Sequence, residues 1–217
     1  MARYDPRDRF FRKAKQEGYR ARSAYKLEEI QRRLRVLRPG GRVVDLGAAP
    51  GGWLQVAARE VGPRGLVIGI DLEEIPPLAP PVVVWKADAF SPELLARLGE
   101  HGPFDAVLSD LAPRTSGVRG TDEARSIALA ERALDLAVRL LHPSGAFVVK
   151  VFMGGDFEGF VKACRQAFSR VKIVKPEASV ARSSKEVYVV GQNLRIPPRT
   201  RESFLDPDGS KTGMAES

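Results

Sequence analysis

The chain has 217 residues, 43% of them hydrophobic and 29% charged, which is the composition of one globular unit and not of a disordered or collagenous chain. Its longest uncharged stretch, residues 46–58, is shorter than the roughly 18 apolar residues of a membrane span. The N-terminus lacks the apolar segment of a secretory signal, and a single cysteine, Cys164, excludes an internal disulfide and any cysteine-rich metal site. A soluble, cytoplasmic, monomeric protein without a metal centre is expected.

The net charge of +8 is unevenly placed. Residues 1–38 hold 13 Lys/Arg against 5 Asp/Glu, whereas the rest of the chain holds 22 of each sign. A basic arm on a neutral body is the footprint of a polyanionic partner, nucleic acid ahead of membrane. Tyr4, Phe10, Phe11, Tyr19 and Tyr25 lie among the arginines as stacking faces, although packing of the arm onto the body is expected to claim at least half of them.

In chain order, Leu27, Ile30, Leu34 and Leu37 recur at helical spacing and predict a helix over 23–37, ended by Pro39-Gly40-Gly41. Short apolar runs at 42–46, 66–71, 82–85, 106–109, 146–151, 171–174 and 186–190 read as strands. Amphipathic segments at 53–61, 91–98, 123–141 and 157–168 read as the helices between them. Alternating strands and helices predict an α/β, Rossmann-like fold with a mostly parallel seven-stranded sheet and helices on both faces. The crossover before 186 is too short for another helix, so the last strand is expected to be antiparallel. The chain thus divides into a basic arm and helix over 1–38, a catalytic domain over 39–192 and a tail over 193–217 expected to be disordered.

The first strand runs into Asp45-Leu46-Gly47-Ala48-Ala49-Pro50-Gly51-Gly52-Trp53, a small-residue turn that lets a ligand approach the carboxyl edge of the sheet. The glycines do not match a dinucleotide fingerprint, and no Gly-Lys-Ser/Thr follows to make a P-loop. A ligand without pyrophosphate fits better, and S-adenosyl-L-methionine (AdoMet) is the expected one. Asp71 ends the second strand, where its carboxylate can accept both hydroxyls of a ribose. Asp88 follows the third strand and can accept from an adenine amino group. Each acid taken alone reads more readily as a turn or helix-capping residue, but three acids at three successive strand ends beside a glycine loop weaken that reading.

Asp110 follows the fourth strand and Lys150 closes the fifth, both at the edge beside the glycine loop. A lysine inside the apolar run Val148-Val149-Lys150-Val151 costs desolvation unless it is paired or chemically employed. An antiparallel last strand starts at that same edge and delivers Glu186 to it. A structural ion-pair network is the alternative reading of these three residues.

Five segments carry a resemblance. Ser23-Ala24-Tyr25-Lys26-Leu27, the glycine-loop segment 45–53, Ser109-Asp110-Leu111-Ala112-Pro113, Val148-Val149-Lys150-Val151-Phe152 and Ser183-Ser184-Lys185-Glu186-Val187-Tyr188 resemble, in this order, those of the FtsJ-type RNA 2′-O-ribose methyltransferases. The resemblance runs from about residue 10 to 192, and the tail departs from it. It implies an AdoMet-dependent methyltransferase domain and transfer to the ribose of a uridine in 23S ribosomal RNA of the large subunit. It implies a Lys-Asp-Lys-Glu tetrad, here Lys26, Asp110, Lys150 and Glu186, of which Lys26 rests on the resemblance alone. It also implies AdoMet contacts at Gly51, Trp53, Asp71, Asp88 and Asp110.

Because the methyl donor is already activated, the protein must chiefly align the ribose hydroxyl and relieve it of its proton. Lys150 would be the base or the group that steers the hydroxyl. A free lysine is protonated at neutral pH, so the base role asks for burial or a neighbouring cation such as Lys26. Asp110 and Glu186 oppose that shift and are expected to orient. Ribosomal RNA or the large subunit should dock through the basic arm, leaving cofactor binding untouched. Other readings are a tRNA or mRNA-cap 2′-O-methyltransferase, or a non-catalytic AdoMet-binding assembly factor.

Overall fold

The computed structural model describes residues 6–113, 116–179 and 185–195. Among them, β1 (Arg42–Leu46), β2 (Leu66–Asp71), β3 (Val82–Lys86), β4 (Phe104–Ser109), β5 (Leu141–Phe152), β6 (Phe168–Val174) and β7 (Glu186–Leu194) form one sheet. Its order is β3-β2-β1-β4-β5-β7-β6. The first five strands pair in parallel, and β7 runs antiparallel to both β5 and β6. The α/β fold with one reversed strand is as the sequence predicts.

Five strands are longer than predicted, β3, β4 and β6 slightly and β5 and β7 the most. β5 starts at Leu141 although His142-Pro143-Ser144-Gly145 reads as a turn and predicts a start at 146, because Leu141 pairs with Phe104 across a register irregularity. β7 continues to Leu194, whose partner is Phe168, so ordered chain passes the boundary set at 192. The tail from 196 onward and Tyr4 lie outside the described residues, as do Ser183 and Ser184 of the last motif.

Helices α1 (Pro6–Gln16), α2 (Ala24–Leu34), α3 (Gly52–Val61), α4 (Pro92–His101), α5 (Arg119–Leu140) and α6 (Phe157–Ala167) surround the sheet. On one face Ala24, Leu27 and Ile30 of α2 and Leu54 of α3 pack on Val43, Val67, Leu108, Val148 and Val190. On the other, Leu98, Ala133 and Phe160 of α4, α5 and α6 pack on Val44, Ile68, Val107 and Val149. Each Leu, Ile, Val or Phe among them contributes about 1.5–3 kcal/mol on burial. The charge boundary at residue 38 is therefore no packing boundary, since α2 belongs to the core of the body.

Helix α1 has no apolar periodicity strong enough to predict it. Its anchors are Phe10, whose ring lies 5.7 Å from that of Tyr25, and the buried Ala14. Tyr19 meets Tyr25 edge-on at 5.5 Å. Packing thus claims three of the four described arm aromatics, and only Phe11 stays well exposed, at 63%.

Candidate active site

Strand order places a switch point at β1, which has β2 on one side and β4 on the other, and ligands of such sheets bind outside the carboxyl ends there. The Gly47–Gly52 loop occupies that position. The N–H groups of Gly47 and Ala48 donate to the Ile70 carbonyl at 2.9 and 3.1 Å, holding the loop to the end of β2. Gly47 has φ +77°, and a Cβ there would come within 2.8 Å of Leu111 Cδ2. Gly51, at φ +108°, caps α3 without a side chain and leaves the N–H groups of its first turn to a ligand.

The two strand-end acids serve turns as well. Asp71 accepts from the Ala49 N–H through Oδ2 and from the Glu73 N–H through Oδ1, both at 2.9 Å. Asp88 Oδ1 accepts from the Phe90 N–H at 2.9 Å. Each carboxylate oxygen keeps a second lone pair for a donor such as a hydroxyl or amino group. Trp53 is different: its ring is buried, its Nε1 donates to the Ser23 carbonyl at 2.8 Å, and it packs 5.6 Å from the Tyr188 ring. Only its main chain is left to meet a ligand.

Asp45 tests whether this pocket suits AdoMet. It is fully buried, and neither carboxylate oxygen has a hydrogen-bond partner among the described residues. Burial, followed by the carboxylates of Asp110 and Asp71, pushes its pKa well above the ordinary carboxylate range. With the glycine loop at the carboxyl edge, Asp71 and Asp110 at the ends of β2 and β4, and an unpartnered Asp45 carboxyl directly beneath them, these residues suit a ligand with two ribose hydroxyls and positively charged groups. The residues fit the group.

One row nearer the edge, Lys150 of β5 pairs in register with Tyr188 of β7, and Phe152 with Glu186. Lys150 Nζ donates to the Asp110 carbonyl at 2.6 Å and lies 3.1 Å from Asp110 Oδ1. Tyr188 donates its hydroxyl to the same Oδ1 at 2.7 Å. Burial, then the carboxylates of Asp110 and Glu186, holds the Tyr188 proton on by raising its pKa. Lys26, in the first turn of α2, reaches Glu186 Oε1 at 2.7 Å, with its Nζ 5.7 Å from the Tyr188 ring centroid. Lys26 and Lys150 are only 7% and 8% exposed. The start of β7 is fixed by the Lys185–Glu123 ion pair and by the Met153 N–H, which donates to the Lys185 carbonyl at 2.9 Å.

All four tetrad positions therefore meet on one face of the sheet, as two ion pairs with Tyr188 between them. Sequence reasoning quoted Tyr188 and Asp45 within motifs but gave neither a part. The signal for Tyr188 was its place two residues after Glu186, which puts both on the same face of an edge-entering strand. Asp45 was readable as an acid inside an otherwise apolar central strand, the argument applied to Lys150.

A switch-point glycine loop, strand-end acids and a buried lysine beside them define an AdoMet-dependent methyltransferase. The chain belongs to the FtsJ-like methyltransferase family, whose model matches residues 19–194. It is 52% identical over 194 residues to the ribosomal RNA large subunit methyltransferase E of Syntrophobacter fumaroxidans, covering 88% of this chain and 98% of that protein. The protein of that name from Myxococcus xanthus is 51% identical over 197 residues, covering 89% of this chain and 92% of the relative. In fold it matches a crystal structure described as a ribosomal RNA methyltransferase of Plasmodium falciparum, with a TM-score of 0.71 and 24% identity over 81% of this chain and 98% of the other.

Proposed function

We propose that this chain methylates the ribose 2′-hydroxyl of a uridine in 23S ribosomal RNA of the large subunit, with AdoMet as donor. Two things support the substrate: relatives at about half identity over nearly their whole length carry the name of a large-subunit rRNA methyltransferase, and the charge surplus lies on residues 1–38. In this reading the enzyme works as a monomer. The RNA docks through the arm, so that its ribose reaches the Lys150 edge.

The observation that carries the reaction is the double anchorage of Lys150 on Asp110. AdoMet held at the Gly47–Gly52 loop would supply a methyl on positively charged sulfur, a leaving group that needs no acid from the protein. Lys150 Nζ has three substituent positions besides its stem; one N–H is held by the Asp110 carbonyl, and the ion pair with Oδ1 keeps the nitrogen in place. A remaining position is left for the ribose hydroxyl. As ammonium it presents an N–H that orients the oxygen lone pair towards the methyl; as amine it presents the lone pair that takes the proton. Lys26 and Glu186 complete the cluster as an ion pair that flanks Tyr188 and fixes the start of β7 beside Lys150. Gly51, the Trp53 main chain, Asp71, Asp88 and Asp110 would hold AdoMet, with Asp71 offered to its ribose hydroxyls and Asp88 to its adenine amino group.

Incubating the protein with methyl-labelled AdoMet and, separately, large subunits, naked 23S rRNA, tRNA and capped mRNA tests the reading. Label in large-subunit RNA is expected. Label confined to tRNA or cap overturns the substrate, and AdoMet binding without transfer to any RNA makes the chain a binding factor.

A further inference from the structure

The link between α1 and α2 is laid across the cofactor loop. Gln55 of α3 donates through Nε2 to the Gly18 carbonyl at 2.9 Å and accepts from the Arg20 N–H at 2.8 Å. A Cβ on Gly52 would lie 3.2 Å from Ala21 Cβ, and Trp53 bonds the Ser23 carbonyl. Arg20 fastens the strap. Its Nη1 donates to the carbonyls of Pro76 at 2.6 Å and Pro50 at 3.3 Å, and its Nη2 donates to that of Pro77 at 2.8 Å. Its Nη1 would be 3.0 Å from a Cβ on Gly51.

These carbonyls belong to two different loops. Pro50 precedes Gly51 in the turn from β1 to α3, while Pro76 and Pro77 follow Asp71 on the way to β3. One planar fork thus ties together the two segments that carry the glycine cradle and the ribose-binding acid. Reaching three carbonyls at once is a property of the guanidinium, with five N–H groups in a fixed plane; a lysine ammonium on a flexible stem has no such reach. Hydrogen-bonding capacity used on main-chain carbonyls is not available to a phosphate.

We propose that Arg20 is a positioning residue for AdoMet, acting through the Pro50-Gly51 and Pro76-Pro77 segments, and that it couples the basic arm to the cofactor pocket. This rests on AdoMet lying at the Gly47–Gly52 loop. The arm is then not independent of cofactor binding, contrary to what its charge alone suggests. Because binding linkage is reciprocal, AdoMet should tighten RNA binding by the same factor as RNA tightens AdoMet binding, and loss of Arg20 should weaken that coupling.

The test compares the wild type with Arg20→Ala, Arg20→Lys and, as an arm-charge control, Arg22→Ala. AdoMet Kd is measured by calorimetry without RNA, RNA Kd at fixed salt, and KM for AdoMet against kcat in steady state. Arg20→Ala and Arg20→Lys are expected to weaken AdoMet roughly tenfold, the size of one hydrogen bond made by a charged group. KM should rise by a similar factor, kcat at saturating AdoMet should hold within about twofold, and RNA affinity should fall no further than in Arg22→Ala. Should Arg20→Ala not fold, Gln55→Ala cuts the same strap and is expected to raise the AdoMet Kd severalfold. Unchanged AdoMet affinity with weakened RNA binding would make Arg20 a phosphate contact and overturn the proposal, as would full rescue by lysine. A wild type that binds no AdoMet would overturn the cofactor reading itself and this inference with it.

Discussion

Replacing Lys150 by Ala separates chemistry from packing. The side chain is 8% exposed, donates to the Asp110 carbonyl at 2.6 Å and forms an ion pair with Asp110 Oδ1 at 3.1 Å. Removing one partner of a buried ion pair costs about 3–5 kcal/mol. Here Asp110 keeps the Tyr188 hydroxyl at 2.7 Å and has a partly exposed side chain, which puts the cost at the lower end, about 3 kcal/mol. For a chain of this size that is a fall in Tm of about 6–12 °C. Loss of a proton-handling or hydroxyl-steering group should slow transfer by about 10²–10⁴-fold, or about 3–5 kcal/mol on the barrier. Both are read on one sample: Tm by calorimetry, and single-turnover transfer well below Tm with AdoMet and RNA saturating. Lys150→Arg should restore part of the stability, since charge remains, but not transfer, because a planar guanidinium cannot take both anchors and still present a remaining position to the hydroxyl. A large fall in Tm with near-normal transfer at low temperature would make Lys150 a packing residue and refute the reasoning.

Three further outcomes are expected. Tyr188→Phe removes a buried donor to Asp110 and should cost about 1.5–3 kcal/mol in a denaturant titration; an unmoved midpoint contradicts the role given to that hydroxyl. Asp45 has its folded-state pKa raised by burial and by Asp110 and Asp71, so its bound proton favours folding below the unfolded carboxyl range near 4, and that advantage is lost as pH climbs towards the raised value. Asp45→Asn has no such proton to lose, so the Tm of the variant relative to wild type should improve between pH 4 and pH 8, whereas parallel curves would show Asp45 to be indifferent. On the arm, contact with about four phosphates gives log K against log salt a slope of roughly −3, and the combined Arg12→Ala, Lys13→Ala and Lys15→Ala protein should show a shallower one; an unaltered slope leaves these charges as a solvated face.

How far the sequence spoke depended on the type of signal. Strands β1, β2 and β4 are apolar on both sides because both faces are covered, and their continuous runs make them plain. Helix α1 hides because charged residues outnumber the anchors Phe10 and Ala14, although Pro6 at its first position is a start signal. Asp110, Lys150 and Glu186 were placed by position alone, since strand ends on one edge of a parallel sheet converge. Lys26 was not, because nothing in local spacing says that the first turn of α2 packs over β7. That contact lies 160 residues apart in sequence and is decided by packing of Ala24 and Leu27. The expectation that packing claims at least half of the arm aromatics holds, but composition does not say which, and only the fold shows that Tyr19 and Tyr25 are used against each other.

The most direct test of the central claim is mass spectrometry of nucleosides released from large-subunit RNA after incubation with this protein and AdoMet carrying a deuterated methyl. The account predicts a single labelled nucleoside, 2′-O-methyluridine, with the label on the ribose fragment, and its absence when Lys150→Ala replaces the wild type. Label on the base fragment, or equal ribose label from the Lys150→Ala protein, would contradict it.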